Sequence, residues 1–306
     1  MRASPTFDGP GFAPNRYDIT HNAEGIVSCG LCSSREVADE SYMSHEAPAG
    51  LISVVGAFDP DMQLADVHVH TRRSDGWFDV PTLAEAALKA GLNALVVTDH
   101  DDVQAGFELR DYAARRSLPL EVYPGSEITA RVNGNDVHIL ALGIEDDIPP
   151  WQSPEWTVER IASAGGVPVV AHPYKGGSGY MRAVAAFEMP VPVAMEVFNA
   201  SIGDIDRFDP RARRGTDRNA AAVEFHRRHR AMLLGPVGGT DAHFRSIGRG
   251  LTAYRGDLLE AIRSGETTVV RSERFEHARP RDFVHYITGL RSLKRRRAAK
   301  WGQAAE

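Results

Sequence analysis

The chain has 306 residues, 42% hydrophobic and 25% charged, enough for one domain of α/β-barrel size or for two smaller ones. Its net charge of −6 gives no global basic field for nucleic acid, and no apolar run approaches a membrane span. The start, MRASPTFDGP, lacks the charged-then-apolar order of a secretory signal, and the two cysteines give no disulfide framework; a cytoplasmic location is expected.

Residues 1–61 show little periodicity and read as an N-terminal extension, irregular around Pro5, Pro10 and Pro14. Cys29 and Cys32 have the C-x-x-C spacing of half a zinc site or a redox pair, with His21 and His45 as further donors. The spacings match no standard finger, and no βαβ pattern surrounds them. Leu51 to Phe58 reads as a short strand feeding the main domain.

From Leu64 the sequence alternates strand and helix. LADVHV is a buried strand, and TRRSDG is the loop that ends it. Val80 to Ala90 has a helical apolar period closed by Gly91. Leu92 to Val97 is a strand ending in Thr98-Asp99-His100-Asp101-Asp102, and a helix follows to about Arg116. Leu118 to Tyr123 is a strand ending in Gly125-Ser126-Glu127. Ile128 to Gly143 reads as two strands around Asn133-Gly134-Asn135, the second carrying His138. A helix at Trp156 to Ala164 leads to the strand Val167 to Ala171, ending in His172-Pro173. The strand Val193 to Phe198 ends in Asn199. A polar helix, Arg218 to Arg230, carries His226 and His229, both expected at the surface. The strand Ala231 to Val237 ends in Gly238-Gly239-Thr240-Asp241-Ala242-His243. Repeated β-then-α units imply a parallel sheet, and at this size a closed barrel with chemistry at the C-terminal strand ends.

His68 and His70 lie two apart on a strand and can aim both imidazoles at one point, with Asp75 swinging back from the loop. His100, Glu127, His138, His172, Asp241 and His243 bring the set to nine. Hydrophobic strands do not repeatedly end in His or Asp without a reason, because burying such groups unpaired is costly. Metal ions would satisfy them together. Imidazole and carboxylate without thiolate suit Mn, Fe or Zn, and nine donors are too many for one ion. A cofactor set of two or three divalent transition metal ions is therefore expected.

The ordered segments VHVHTRRSDG, VVTDHD, GSEIT, HILALG, VVAHP, EVFN and GGTDAH resemble the PHP family, named for polymerase and histidinol phosphatase, over Leu64 to His243 and on to about Val270. The resemblance implies an α/β fold of the distorted (β/α)7 TIM-like barrel type. It implies one metal held by His68, His70, Glu127 and Asp241. A second would take Glu127, His138 and His172, with Glu127 as bridge, and a third Asp75, His100 and His243. Glu127, Asp241 and His243 are assigned to catalysis as well. The branch it is most similar to acts on nucleotides and short RNA 5′ ends and often carries a helical insertion over the site. Here about 33 residues separate His138 from His172, with little room for a cap domain.

The expected activity is phosphoester hydrolysis by metal-hydroxide attack, on a phosphomonoester or phosphodiester of a small molecule or short nucleic acid. Lys175 and Arg245 are candidate phosphate contacts. Asn199 is a further substrate or orienting residue, and Asp99 an orienting one. C–N bond hydrolysis and a non-catalytic metal-binding module are the competing readings. The expected domains are the extension 1–61, the barrel 62–271 and a basic tail 272–306. In the tail, Phe283, Ile287, Leu290 and Leu293 share one helical face. Arg291, Lys294, Arg295, Arg296, Arg297 and Lys300 read as a solvated helix end or a weak contact with an anionic surface. No obligate protein partner is indicated.

Overall fold

Leu51–Val55 forms strand β1, Gln63–Val69 β2, Val80–Lys89 helix α1, Ala94–Val97 β3, Gln104–Arg115 α2, Glu121–Val132 β4 and Asn135–Leu142 β5. Pro154–Ser163 follows as α3, Val167–Val170 as β6, Val193–Asn199 as β7 and Arg218–His229 as α4. Leu233–Gly239 is β8, Gly250–Tyr254 β9, Leu258–Ser264 α5, Thr268–Ser272 β10 and Pro280–Trp301 α6. These come from a computed structural model that describes residues 50–175, 189–202, 217–245, 247–273 and 280–302, with 280–283 described by backbone only. His21, Cys29, Cys32, His45 and the side chain of Phe283 lie outside the described residues.

Local chemistry sets the helix starts. Asp79 caps α1 by accepting from the Thr82 N–H, while the Thr82 hydroxyl accepts from the Asp79 N–H; Ser153 caps α3 by accepting from the Trp156 N–H and Asp257 caps α5 by accepting from the Glu260 N–H. Helices α1, α2, α3 and α5 each bury one apolar face, such as Leu83, Ala84 and Ala87 of α1.

The strands form one sheet in the order β1-β10-β9-β2-β3-β4-β5-β6-β7-β8. β2, β3 and β4 run parallel, β5 is antiparallel to both its neighbours, and β6, β7 and β8 are parallel again. A single buried cluster joins Ala65 and Val67 of β2 to Ala94 and Val96 of β3, Val169 of β6, Ala194 of β7 and Val237 of β8, so the sheet curls round a shared interior. This is a mixed α/β, nearly closed barrel of seven strands from β2 to β8, with three antiparallel strands attached through β9.

Two segments differ from the sequence reading. The strands read as ending at Tyr123 and as starting at Ile128 are one continuous strand from Glu121, because β4 runs on past the rim as a hairpin arm with β5, where Glu127 faces Leu140. β1 pairs with β10, so the sheet takes in residues assigned to the extension, and residues 45–306 group as one unit. His226 is buried rather than exposed. Among the described residues no helix is long and apolar enough to cross a membrane.

Closure of the barrel rests on Asp66. Its carboxylate accepts the Thr240 N–H at 2.9 Å, the Gly248 N–H at 3.0 Å and the Thr240 hydroxyl. Complete burial pushes its pKa up to about 6, against the pull of the Thr240 bonds. Beside it the Asp241 N–H donates to the His68 carbonyl at 2.7 Å, and Val69 bridges Ala242. Gly239 makes the approach of β8 to β2 sterically feasible: a Cβ there would lie 2.5 Å from the His68 Cβ and 2.8 Å from Glu196 Oε1. Gly239→Ala should therefore lower the unfolding free energy by about 1–3 kcal/mol, read as a shifted midpoint in urea with unchanged slope.

Candidate metal centre

The strand ends deliver the polar residues. His68 lies in β2 and His70 directly after it, His100 follows β3, His172 follows β6, and Asp241 and His243 follow β8. Glu127 lies within β4, and His138, in β5, pairs across the hairpin with Thr129. Asp101, His172 and Asp241 adopt left-handed backbone, with φ of 54°, 27° and 54°. Such positions are costly for residues with a Cβ and persist where surrounding bonds impose them. Here the Asp101 N–H donates to the Glu127 carbonyl at 3.1 Å, that of His172 to Glu196 Oε2 at 2.7 Å, and that of Asp241 to the His68 carbonyl.

The nine nominated residues converge. Around one point lie His68 Nε2, His70 Nε2, Glu127 Oε2 and Asp241 Oδ1. The Glu127 oxygen is 3.3 and 3.1 Å from the two imidazoles, and the Asp241 oxygen 3.5 and 3.2 Å. Donors about 2.0–2.2 Å from a shared tetrahedral ion are separated by roughly 3.3–3.6 Å. The other Glu127 oxygen, Oε1, is 2.7 Å from His138 Nδ1 and 2.8 Å from His172 Nε2. Asp75 Oδ2 lies 3.3 Å from His243 Nε2 and 3.7 Å from His100 Nε2. Donor atoms within 4.8 Å of one another form three groups: His68, His70, Glu127 and Asp241; His70, Asp75, His100 and His243; and His100, Glu127 and His138. His70 and His100 are thus shared between groups, where the resemblance gave each to one.

The donor set fits divalent metal. His68 Nε2, His70 Nε2, His100 Nδ1, Asp75 Oδ1 and Asp241 Oδ1 are buried without a hydrogen-bond partner, a cost that bound cations would remove. Mutual charge holds the set together without them. Burial opposes ionisation of Glu127, but the imidazoles of His138, His100 and His68 hold its carboxyl well below the usual range. Asp241 is depressed likewise, by Lys175 and His68. Burial lowers His70, yet Asp241 and Glu127 push it up to about 10, whereas burial and the nearby Lys175 take His172 down to about 4.

A second layer orients these groups, and its key member escaped the sequence reading. Glu196 in β7 accepts from His68 Nδ1 at 3.0 Å and from the His172 backbone N–H. That fixes Nε2 of His68 as the inward, metal-facing atom. The signal was present, an acid inside the apolar run VAMEVFN, but it was read as part of a motif. Asn199, nominated for substrate, is fully buried: its amide donates to Glu196 and Asp241 at 3.1 and 3.3 Å, and its oxygen accepts the Ile202 N–H. Its hydrogen bonds go to Glu196, Asp241 and the Ile202 N–H, the geometry of an orienting residue. Asp99 accepts from the Thr71 N–H and hydroxyl at 2.8 and 2.6 Å and from Ser74, anchoring the loop that carries Asp75. Lys175 Nζ stands 3.5 Å from Asp241 Oδ2. Arg245 stacks over Trp77, its guanidinium carbon 3.9 Å from the ring centroid, two residues past Asp75.

Helix α6 lies against this rim, which corrects the reading of a solvated basic tail. Arg297 pairs with the buried Asp101 at 2.5 Å, and Lys300 reaches Asp147 at 2.6 Å and Asp102 at 3.3 Å. Arg296 donates to the Arg73 carbonyl at 2.7 Å. Leu293 is buried, but Ile287 is 52% exposed. The inward stripe is therefore Tyr286, Gly289, Leu293, Arg297 and Lys300, with Arg291, Lys294 and Arg295 exposed outside.

Glu196→Gln keeps the shape but removes the negative acceptor behind His68. Its divalent-metal affinity should fall about 10–100-fold in a competition titration, with secondary structure unchanged.

No family model matches the chain. It is 30% identical over 149 residues to the uncharacterized protein MJ1587 of Methanocaldococcus jannaschii, an alignment covering 44% of this chain and 81% of that one. It is 35% identical over 80 residues to the 5′-3′ exoribonuclease Rnm of Salmonella typhimurium, covering 26% of this chain but only 27% of that enzyme. Among solved structures it is similar to a two-domain protein from Bacteroides vulgatus containing a PHP-like metal-dependent phosphoesterase, with a TM-score of 0.54 and 18% identity over 77% of this chain and 73% of that one. The likeness to that protein is one of fold. Together with the ordered motifs and the convergent histidines, these relatives show that the chain belongs to the PHP family of metal-dependent phosphoesterases.

Proposed function

We propose that the chain hydrolyses a phosphomonoester or phosphodiester, borne on a small molecule or a short nucleic acid, with two or three divalent ions of the Mn, Fe and Zn class. A cytoplasmic setting belongs to the same reading. The observation that carries it is Glu127: its two carboxylate oxygens face different sets of imidazoles, as a bridging ligand requires. His68, His70, Glu127 and Asp241 would hold one ion; Glu127, His138 and His172, with His100 beside them, a second; and Asp75, His100 and His243, with His70 beside them, a third. Bound there, such ions would supply a water acidified to near-neutral pKa and positive charge for the phosphoryl oxygens.

The chain's own groups do the rest. Lys175, its ammonium kept protonated by Asp241 and Glu127 against the pull of burial, offers a cationic donor to a phosphate oxygen. Asn199 and Glu196 hold Asp241 and His68 at fixed angles, so the donors need not reorganise when substrate binds. The relative named as an exoribonuclease supports a phosphodiester of nucleic acid as one substrate class. The exposed Arg291, Lys294 and Arg295 offer a weak contact for such a strand.

Turnover of a generic phosphate ester should vanish with chelator and return with added Mn. Glu127→Ala should lose more bound metal than Asp75→Ala, while both lose at least about 100-fold in kcat/KM. Metal content is read by elemental analysis of the purified proteins. Wild-type activity and metal content in Glu127→Ala would overturn the reading.

A further inference from the structure

Helix α6 does more than neutralise rim acids. Gly289 sits in its middle, where glycine costs a helix roughly 1 kcal/mol against alanine. The reason is contact: a Cβ at Gly289 would lie 2.9 Å from the Asp75 Cα and 3.2 Å from its carbonyl oxygen. The helix backbone therefore touches the backbone of a residue whose carboxylate belongs to the metal-ligating cluster. Three residues earlier on the same face is Tyr286. Its ring stands edge-on to His243 at 5.4 Å between centroids and leans against Phe244 at 5.6 Å. The side chains whose charges act on its hydroxyl are Asp75, Lys175, Asp241 and Glu127, and Lys175 responds to Tyr286 in turn. The phenol thus belongs to the space over the clusters that Lys175 reaches from the β6 side.

The helix is held there at its far end. Arg297 is fixed on Asp101 and on the Thr129 hydroxyl at 2.5 Å, Lys300 on Asp147, and the Trp301 indole N–H donates to the Asp101 carbonyl at 3.3 Å. Asp101 and Asp102 follow β3, Thr129 is in β4, and Asp147 follows β5. Three successive segments of the rim therefore grip one helix, and the grip sets where Tyr286 stands.

We propose that helix α6 is a wall of the active site and that Tyr286 is its substrate-contacting residue, its hydroxyl donating, opposite Lys175, to a phosphate oxygen turned away from the metal ligands. The proposal deepens the phosphoesterase reading and rests on it for the identity of the ligand. A phenol suits the position because it adds a donor without adding charge among Asp75, Asp241 and Glu127.

Inorganic phosphate binding to the Mn-loaded protein, followed by calorimetry, tests it apart from turnover. Tyr286→Phe should weaken phosphate about tenfold and raise KM for a small phosphate ester by a similar factor, with kcat within about twofold and the thermal midpoint and metal content unchanged. Arg297→Ala, which leaves Tyr286 intact but loosens its support, should weaken phosphate in the same direction. Ile287→Ala, on the exposed face of the same helix, should change nothing. Wild-type phosphate affinity in a folded, metal-loaded Tyr286→Phe overturns the proposal even if the wild type hydrolyses esters. Phosphate binding that depends on Tyr286, in a protein that hydrolyses no ester, supports the contact and instead removes the phosphoesterase reading.

Discussion

One buried carboxylate facing five imidazoles is the constraint on which the rest of the structure depends. Glu127 lies 2.7–3.3 Å from ring nitrogens of His68, His70, His100, His138 and His172. An ionised carboxylate taken out of water without partners would cost far more than a domain's whole stability margin. The imidazoles have to be there, and in turn they need something on their far side. Glu196 supplies it for His68, and the Ser74 hydroxyl lies 3.4 Å from His70 Nδ1. The centre is thus built in layers, each of which makes the next one inward affordable.

The layers also explain the backbone. A strand that simply ended would send its next side chain to either face of the rim. At His172 and Asp241 the chain turns through left-handed φ, and in both cases the residue's own N–H is captured by a group belonging to the site, Glu196 or the His68 carbonyl. Strain, closure and ligand placement are therefore one problem. Asp66, whose carboxylate also accepts the His68 N–H at 3.4 Å, and Gly239, packed against His68, close β8 on β2 and so hold His68 beside Asp241.

Much of this was legible in the sequence, for physical reasons that also mark where legibility ended. The His-x-His pair on an apolar strand and the TDAH and TDHD endings are local patterns, and the alternation of apolar runs with amphipathic segments determines the barrel. Glu196 was missed because a single acid in a strand carries no period and shows its role only through His68, 128 residues away. Asn199 was left between a substrate and an orienting role because sequence shows that it ends a strand but not that its carboxamide bonds Glu196, Asp241 and the Ile202 N–H. The rim extension of β4 was missed because Pro124 and Gly125 look like a strand's end. The tail misled most: its apolar positions pick out one face, but the barrel is met by Tyr286, Gly289 and Leu293 together with Arg297 and Lys300. Ion pairs with Asp101, Asp102 and Asp147 override a weak apolar stripe.

Charge gives these observations a common direction. The chain is acidic overall, and its rim concentrates Asp75, Asp99, Asp101, Asp102, Glu127, Glu196 and Asp241, most of them buried. A field of that sign repels a phosphate. Lys175 faces Asp241, while Arg297 and Lys300 are engaged by Asp101, Asp102 and Asp147, so the protein's own nearby cations largely balance its own acids. Divalent ions in the clusters would reverse the sign at the point where a phosphoryl group has to sit, while the surrounding acids remain paired. Metal loading and affinity for an anionic ligand are then coupled through charge.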